Sequence, residues 1–209
     1  MGLHTAEVGG RRAGRREERK AENRAKLLDA ARHVFSRKGL GEATARDIVR
    51  ETDLASGTFY NYFRDKEDAF RALLEEMSQR SRTLVRVQRR DLDLSVPERV
   101  AAAYRAYFEW VVEERELFHV FRRNAGAIAM MPESGMFEAG VAELLQDLSE
   151  WEEAGDLPAV DLEYLATAAA GMGFQIATRL VDRDPPDVEA ATRFCTRMFM
   201  GGVRALAED

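Results

Sequence analysis

Between residues 56 and 63 the chain reads Ser-Gly-Thr-Phe-Tyr-Asn-Tyr-Phe, two apolar rings at i and i+4 among hydroxyl, amide and phenol groups. On a helix, Phe59 and Phe63 share one inward face, which leaves Ser56, Thr58, Tyr60, Asn61 and Tyr62 to the surface. Exposed aromatics interleaved with hydroxyls suit a helix laid against DNA, where such groups reach phosphates and base edges. On spacing alone an ordinary helical hairpin is the lesser alternative, with Tyr60 and Tyr62 packed at a domain edge.

The charge distribution favours the first reading. Residues 1–66 hold 15 Lys and Arg against 10 Asp and Glu, a net of +5, whereas residues 67–209 hold 16 against 27, a net of −11. A basic head on an acidic body suggests that one end meets a polyanion while the rest does something else. Arg11, Arg12, Arg15 and Arg16 sit in a segment, residues 1–21, without apolar periodicity; it reads as a mobile arm, either solvated or reaching phosphates beside a minor groove.

The elements that would hold the Ser56–Phe63 segment are all helical. Leu27, Leu28, Ala31, Val34 and Phe35 recur at helical spacing, with Gly39 as a stop. Thr44 and Asp47 have capping-box spacing ahead of a short helix carrying Ile48 and Val49, and Asp53 sits where the chain turns, a residue tolerant of left-handed geometry. A longer helix opens at Lys66-Glu67, and Ser95 with Glu98 opens the next. Further helices are expected over 117–129, 136–151, 162–181 and 188–206, punctuated by Pro132, Gly135, Gly155, Pro158 and Asp184-Pro185-Pro186-Asp187. No run alternates with period two, so the expectation is an all-α chain of about nine helices.

Taken in order, Leu27-Leu28-Asp29-Ala30-Ala31-Arg32-His33-Val34-Phe35, Lys38-Gly39, Thr44-Ala45-Arg46-Asp47-Ile48, Gly57 to Phe63 and Lys66-Glu67 resemble the N-terminal domain of TetR-family transcriptional repressors. The resemblance covers about a quarter of the chain and departs from the family at Ala55, usually Ser, at Asp53, usually Gly, and at Val49, usually Ala. It implies a three-helix helix-turn-helix domain over 22–68 and a helical effector-binding and dimerisation domain over 69–209. It also implies phosphate or base contacts from Thr44 and Arg46, a major-groove position for Ser56, Gly57, Thr58, Tyr60 and Asn61, phosphate contacts from Tyr60 and Tyr62, and a phosphate held at Lys66. The partners implied are double-stranded DNA carrying a palindromic operator, a small-molecule effector and a second copy of the chain.

The acidic body is rich in candidates for an effector pocket. Tyr104, Phe108 and Val111, with Tyr107 and Trp110 nearby, form an aromatic surface; Leu117, Phe118, Phe121 and Ile128 form another, followed by Met130, Met131, Met136 and Phe137. Arg122, Arg123 and Asn124 lie inside that apolar stretch, and Gln175 and Arg179 offer a second polar pair. A few polar groups amid apolar lining is how ligand pockets look, although such spacing also describes plain core. A fatty acyl thioester anchored by an Arg and an aromatic compound fit this lining equally. Ala166, Ala169, Ala170, Gly173 and Ala177, then Gly201, Gly202 and Ala205 with Phe194, Met198 and Phe199, suit close helix approach across a two-fold interface or within a core.

Other classes find less support. His4, His33 and His119 are scattered, with no HExxH, nucleophile motif or phosphate loop, so neither an enzyme nor a cofactor is expected. One cysteine, Cys195, excludes an internal disulfide and reads as a buried reduced thiol. The longest run without a charged residue, 164–178, is too short to span a bilayer, and no apolar signal core is present, which makes a cytoplasmic protein the expectation. A helical adaptor that binds protein rather than DNA is the alternative from another class.

Overall fold

The computed structural model describes residues 4–124, 126 and 136–207, with the side chains of 4–13, 117, 136 and 137 outside the description. Among the described residues there are eight α-helices and no strand: α1 His4–Glu42, α2 Ala45–Arg50, α3 Lys66–Arg89, α4 Val96–Glu113, α5 Arg115–Arg123, α6 Met136–Glu153, α7 Leu162–Leu180 and α8 Val188–Leu206. A single 3-10 turn spans Phe59–Asn61. The chain divides into two compact units between Leu74 and Glu75, and α3 runs from the first into the second.

In the first unit α1 packs on α2, and Leu27, Ala31 and Phe35 of α1, Ile48 of α2, Phe59 and Phe70 of α3 are all fully buried. Phe35 meets Phe70 edge-on at 5.1 Å, a geometry that adds roughly 1 kcal/mol to the area buried. Gly39 breaks α1 with φ 74°, ψ 168°, a conformation that costs any side chain bearing a Cβ. Thr44 and Asp47 form the full capping box: the Asp47 amide donates to Thr44 Oγ1 at 3.1 Å, and the Thr44 amide donates to Asp47 Oδ2 at 3.1 Å.

Three expectations are corrected here. The segment read as a mobile arm belongs to α1 from His4 onward. Its Ala, Arg and Glu content has high helix propensity, which apolar periodicity does not register. The segment 56–63 is not a regular α-helix: Thr58, Asn61 and Tyr62 donate to carbonyls three residues back, and Phe63 alone closes an α-type bond, to Phe59. Asp53 has no left-handed backbone either, since no residue but glycine has positive φ among those described; its carboxylate instead reaches Lys26 of α1 at 3.1 Å.

In the second unit α4 packs along α8, and α6 along α7. Val100, Leu148, Trp151, Ala166, Phe199 and Val203 belong to its buried cluster. Glu98 accepts from the Ser95 amide and hydroxyl at 2.8 and 2.6 Å, fixing the start of α4. Gly155, at φ 77°, turns the chain out of α6. Ala166, Ala169, Gly173 and Ala177 face this interior, so close approach on that side of α7 serves the unit's own packing. No described helix is long and apolar enough to cross a membrane, and no group of three or more metal-ligating side chains occurs among the described residues. Cys195 is a buried free thiol whose pKa burial pushes up to about 11.

Candidate nucleic-acid interface and an apolar cavity

Phe59 and Phe63 are the anchors of the 56–63 segment; both are buried, 5.5 Å apart, and Arg24 of α1 lies over the Phe63 ring at 5.6 Å. What they hold outward is the sequence-derived set. Ser56, Gly57, Tyr60 and Asn61 are exposed, Thr58 and Tyr62 half-buried, and Tyr60 keeps 66% of its surface in solvent with its ring edge-on to Phe59 at 5.4 Å. A phenol held by a buried ring yet presented to water is placed to contact another molecule.

The neighbouring element adds cations. Arg46 on α2 is exposed beside the cap Thr44. Arg50 lies one turn further along, also exposed, and the sequence candidates omitted it although its i+4 spacing from Arg46 puts both on one face. Lys38 is committed to Asp47 at 2.9 Å; together with the Thr44 hydroxyl it holds the Asp47 carboxyl down at about 2. Lys66 is also committed, donating to the Gly41 carbonyl at 2.9 Å. The first turn of α3 already has internal acceptors: the Asp68 amide donates to Asp65 Oδ1 at 2.7 Å and the Arg64 amide to Asp68 Oδ2 at 3.0 Å. An anion arriving there would compete with these carboxylates, so Lys66 serves first as a tie between α1 and α3.

Within the second unit a cavity of about 540 Å³ opens among α3, α4, α5, α6, α7 and α8. This is within the range of sites for small molecules. Tyr104, Phe118 and Phe121 of the sequence-derived set line it, as do Tyr107 and Trp110 beside them. The remaining candidates fall elsewhere. Phe108 and Val111 are fully buried in core. Asn124 is buried and donates to the Val120 carbonyl at 2.7 Å, closing the end of α5. Arg122 ties α5 to α7 through the Thr178 carbonyl at 3.3 Å and pairs with Asp182 at 2.5 Å. Gln175 and Arg179 are exposed on the outer side of α7. Ile128, Met130 and Met131 lie outside the described residues, and so do the side chains of Leu117, Met136 and Phe137.

The polar lining comes from α3 and α6, which periodicity in the aromatic helices could not reveal. Arg82 Nε lies 3.1 Å from Glu143, and the buried Arg89 donates to the equally buried Asp147 at 2.6 Å, with Arg90 on the other Asp147 oxygen at 2.9 Å. The Tyr104 hydroxyl donates to the Ala169 carbonyl at 3.1 Å. Burial pushes the Tyr104 and Tyr107 phenols well above their ordinary range, so both stay protonated.

Residues 27–73 match the family model of bacterial regulatory proteins of the tetR family. This stretch is similar to the N-terminal domain of that family. The match covers α1 from Leu27 onward, all of α2, the whole 56–63 segment and the start of α3. Along most of its length the chain is similar to the HTH-type transcriptional regulator YdgC of Bacillus subtilis, 27% identical over 72% of this chain and 77% of that one. Its fold is similar to that of the fatty acid degradation regulator FadR of Bacillus halodurans, with TM-score 0.75 and 22% identity over 87% of this chain and 96% of that one. It is also similar to FadR of Bacillus subtilis, solved in complex with stearoyl-CoA, with TM-score 0.74 and 18% identity over 86% and 98% of the two chains.

Proposed function

We propose that this protein is a TetR-type dimeric repressor that reads an inverted-repeat operator with its 56–62 segment and leaves it when a small apolar effector fills the cavity. The observation that carries the reading is Tyr60 and Asn61 standing exposed on a segment whose Phe59 and Phe63 are wholly buried. In this reading Ser56, Gly57, Thr58 and Asn61 approach base edges, while Tyr60, Tyr62, Thr44, Arg46 and Arg50 hold phosphates and set the register.

A two-fold partner is supported by the outer faces of the last two helices. Tyr164, Ala168, Gly171 and Gln175 on α7 and Phe194, Met198, Gly201 and Ala205 on α8 follow i, i+4, i+7, i+11 and are either exposed or half-buried. Phe194 and Met198 leave 50% and 55% of their surface uncovered, apolar area that a second copy would remove from water. The effector then acts by binding better to a conformation whose two reading segments no longer match successive major grooves. Both effector classes named from the sequence remain within this reading, and the stearoyl-CoA bound by the Bacillus subtilis FadR is an example of the first.

Titration of a labelled duplex at rising salt separates the regulator from a protein-binding adaptor. The regulator is expected to lose affinity steeply between about 50 and 200 mM salt as counterions compete for the phosphates. An acidic adaptor would show no duplex binding at either end of that range, and that result would remove the DNA-reading function.

A further inference from the structure

The polar groups around the cavity narrow the effector to one chemical class. Among the described residues Arg82 and Arg89 are its lining cations and Glu138 and Glu143 its lining carboxylates, so these four charges balance. Each cation already has a carboxylate partner, Glu143 at 3.1 Å and Asp147 at 2.6 Å. An incoming carboxylate or phosphate would have to displace one of these internal partners, at the cost of leaving it desolvated and unpaired. A cationic ligand would find Glu143 and Asp147 already paired with those guanidinium groups, which leaves the solvent-exposed Glu138, whose charge water screens.

Two hydrogen-bonding groups are left over, both able to donate: the Trp110 indole N–H, buried with no partner among the described residues, and the Tyr107 hydroxyl. Tyr104 is satisfied by the Ala169 carbonyl, but the Tyr107 hydroxyl has no partner among the described residues, and its ring forms part of the cavity wall. That ring stacks on Trp110 at 6.1 Å, and α7 comes close beside it because position 173 is glycine: a Cβ there would stand 3.9 Å from Tyr107 and 3.2 Å from Tyr104. A phenol with no internal partner, beside a buried unpaired indole N–H in a wall otherwise built of rings, favours a ligand that brings the missing oxygen.

We propose that the effector is an uncharged, ring-built molecule carrying a keto or hydroxyl oxygen, and that this oxygen bonds the Tyr107 hydroxyl. The inference rests on the effector reading above, which it makes specific. Both tryptophans of the chain, Trp110 and Trp151, line the cavity, so their emission reports its occupancy.

The test titrates the full-length protein and its Tyr107→Phe variant with decalin, 2-decalone, decalin-2-carboxylate and stearoyl-CoA. The wild type is expected to bind 2-decalone about tenfold more tightly than decalin, one hydrogen bond's worth of discrimination. Tyr107→Phe should erase that preference while leaving decalin affinity unchanged, which also shows that the variant is folded. Equal binding of decalin and 2-decalone by the wild type, or a preference that survives in Tyr107→Phe, would overturn the Tyr107 anchor and leave the cavity standing as an effector site. Tightest binding by decalin-2-carboxylate or stearoyl-CoA would overturn the uncharged class. No change in emission with any of the four would overturn the effector reading itself, and this inference with it.

Discussion

Asp47 does three things within a short stretch: it closes the cap of α2 with Thr44, pairs with Lys38, and stands beside Arg46. Its folded pKa of about 2 lies below the ordinary 3.8, so the ionised carboxylate stabilises the fold above about pH 4, and that stabilisation is lost as pH falls toward 2. Asp47→Asn should therefore melt a few degrees below wild type at pH 7, with the gap closing as pH drops from 4 to 2; a gap independent of pH would show that charge is not its source. Tyr60 is the opposite kind of residue, exposed, with its ring against Phe59 and its hydroxyl tied to no group among the described residues. Tyr60→Ala should leave the melting temperature unchanged and weaken operator binding about tenfold or more, measured by fluorescence anisotropy. At this scale the sequence was legible wherever a residue's neighbours in the chain decide its fate, as at Thr44 with Asp47 and Ser95 with Glu98. It was not legible at Arg122, Gln175 and Arg179, because which side of α7 the other helices cover is settled by tertiary packing and leaves no local mark.

Helices were legible where an apolar stripe meets a stop. The last one was expected over 188–206 and spans those residues, framed by the Asp187 cap on the Ala190 amide at 2.8 Å. The 56–63 segment carries the same kind of stripe, yet its bonds are mostly of the three-residue type, because two buried rings and tertiary contact hold a segment too short to hold itself as an α-helix. The α3–α6 pairing is the part of the cavity that spacing could not show: Arg89 and Asp147 are 58 residues apart, each reading as an ordinary surface charge. Asp147→Ala strands the buried Arg89 guanidinium and should cost about 3 kcal/mol in urea unfolding. Adding Arg89→Met should restore a good part of it; a loss below about 1 kcal/mol for the single change would mean that Arg89 finds water or another partner.

For the whole molecule the account needs two copies. A single three-helix head reads one half-site, and a repressor's affinity comes from two heads on one duplex. Phe194→Asp places a charge at the centre of the exposed α8 stripe, so sedimentation should show wild-type dimers become monomers, with operator affinity falling by about a hundredfold. A dimeric Phe194→Asp protein would move the interface to another surface. The charge asymmetry seen in the sequence, a basic head and an acidic body, holds at this scale as well, since the acidic unit carries the cavity and the basic one the segment proposed to read DNA.

The central claim is that the exposed edge of the 56–62 segment reads DNA sequence in pairs. Its most direct test is selection of bound duplexes from a random pool by the purified protein at physiological salt, sequenced over successive rounds. The account predicts enrichment of an inverted repeat whose half-sites lie about one helical turn apart, lost when Tyr60 and Asn61 are both replaced by alanine. Retention of unenriched DNA, released as soon as salt is raised, would contradict it: the basic head would then bind phosphate without reading bases.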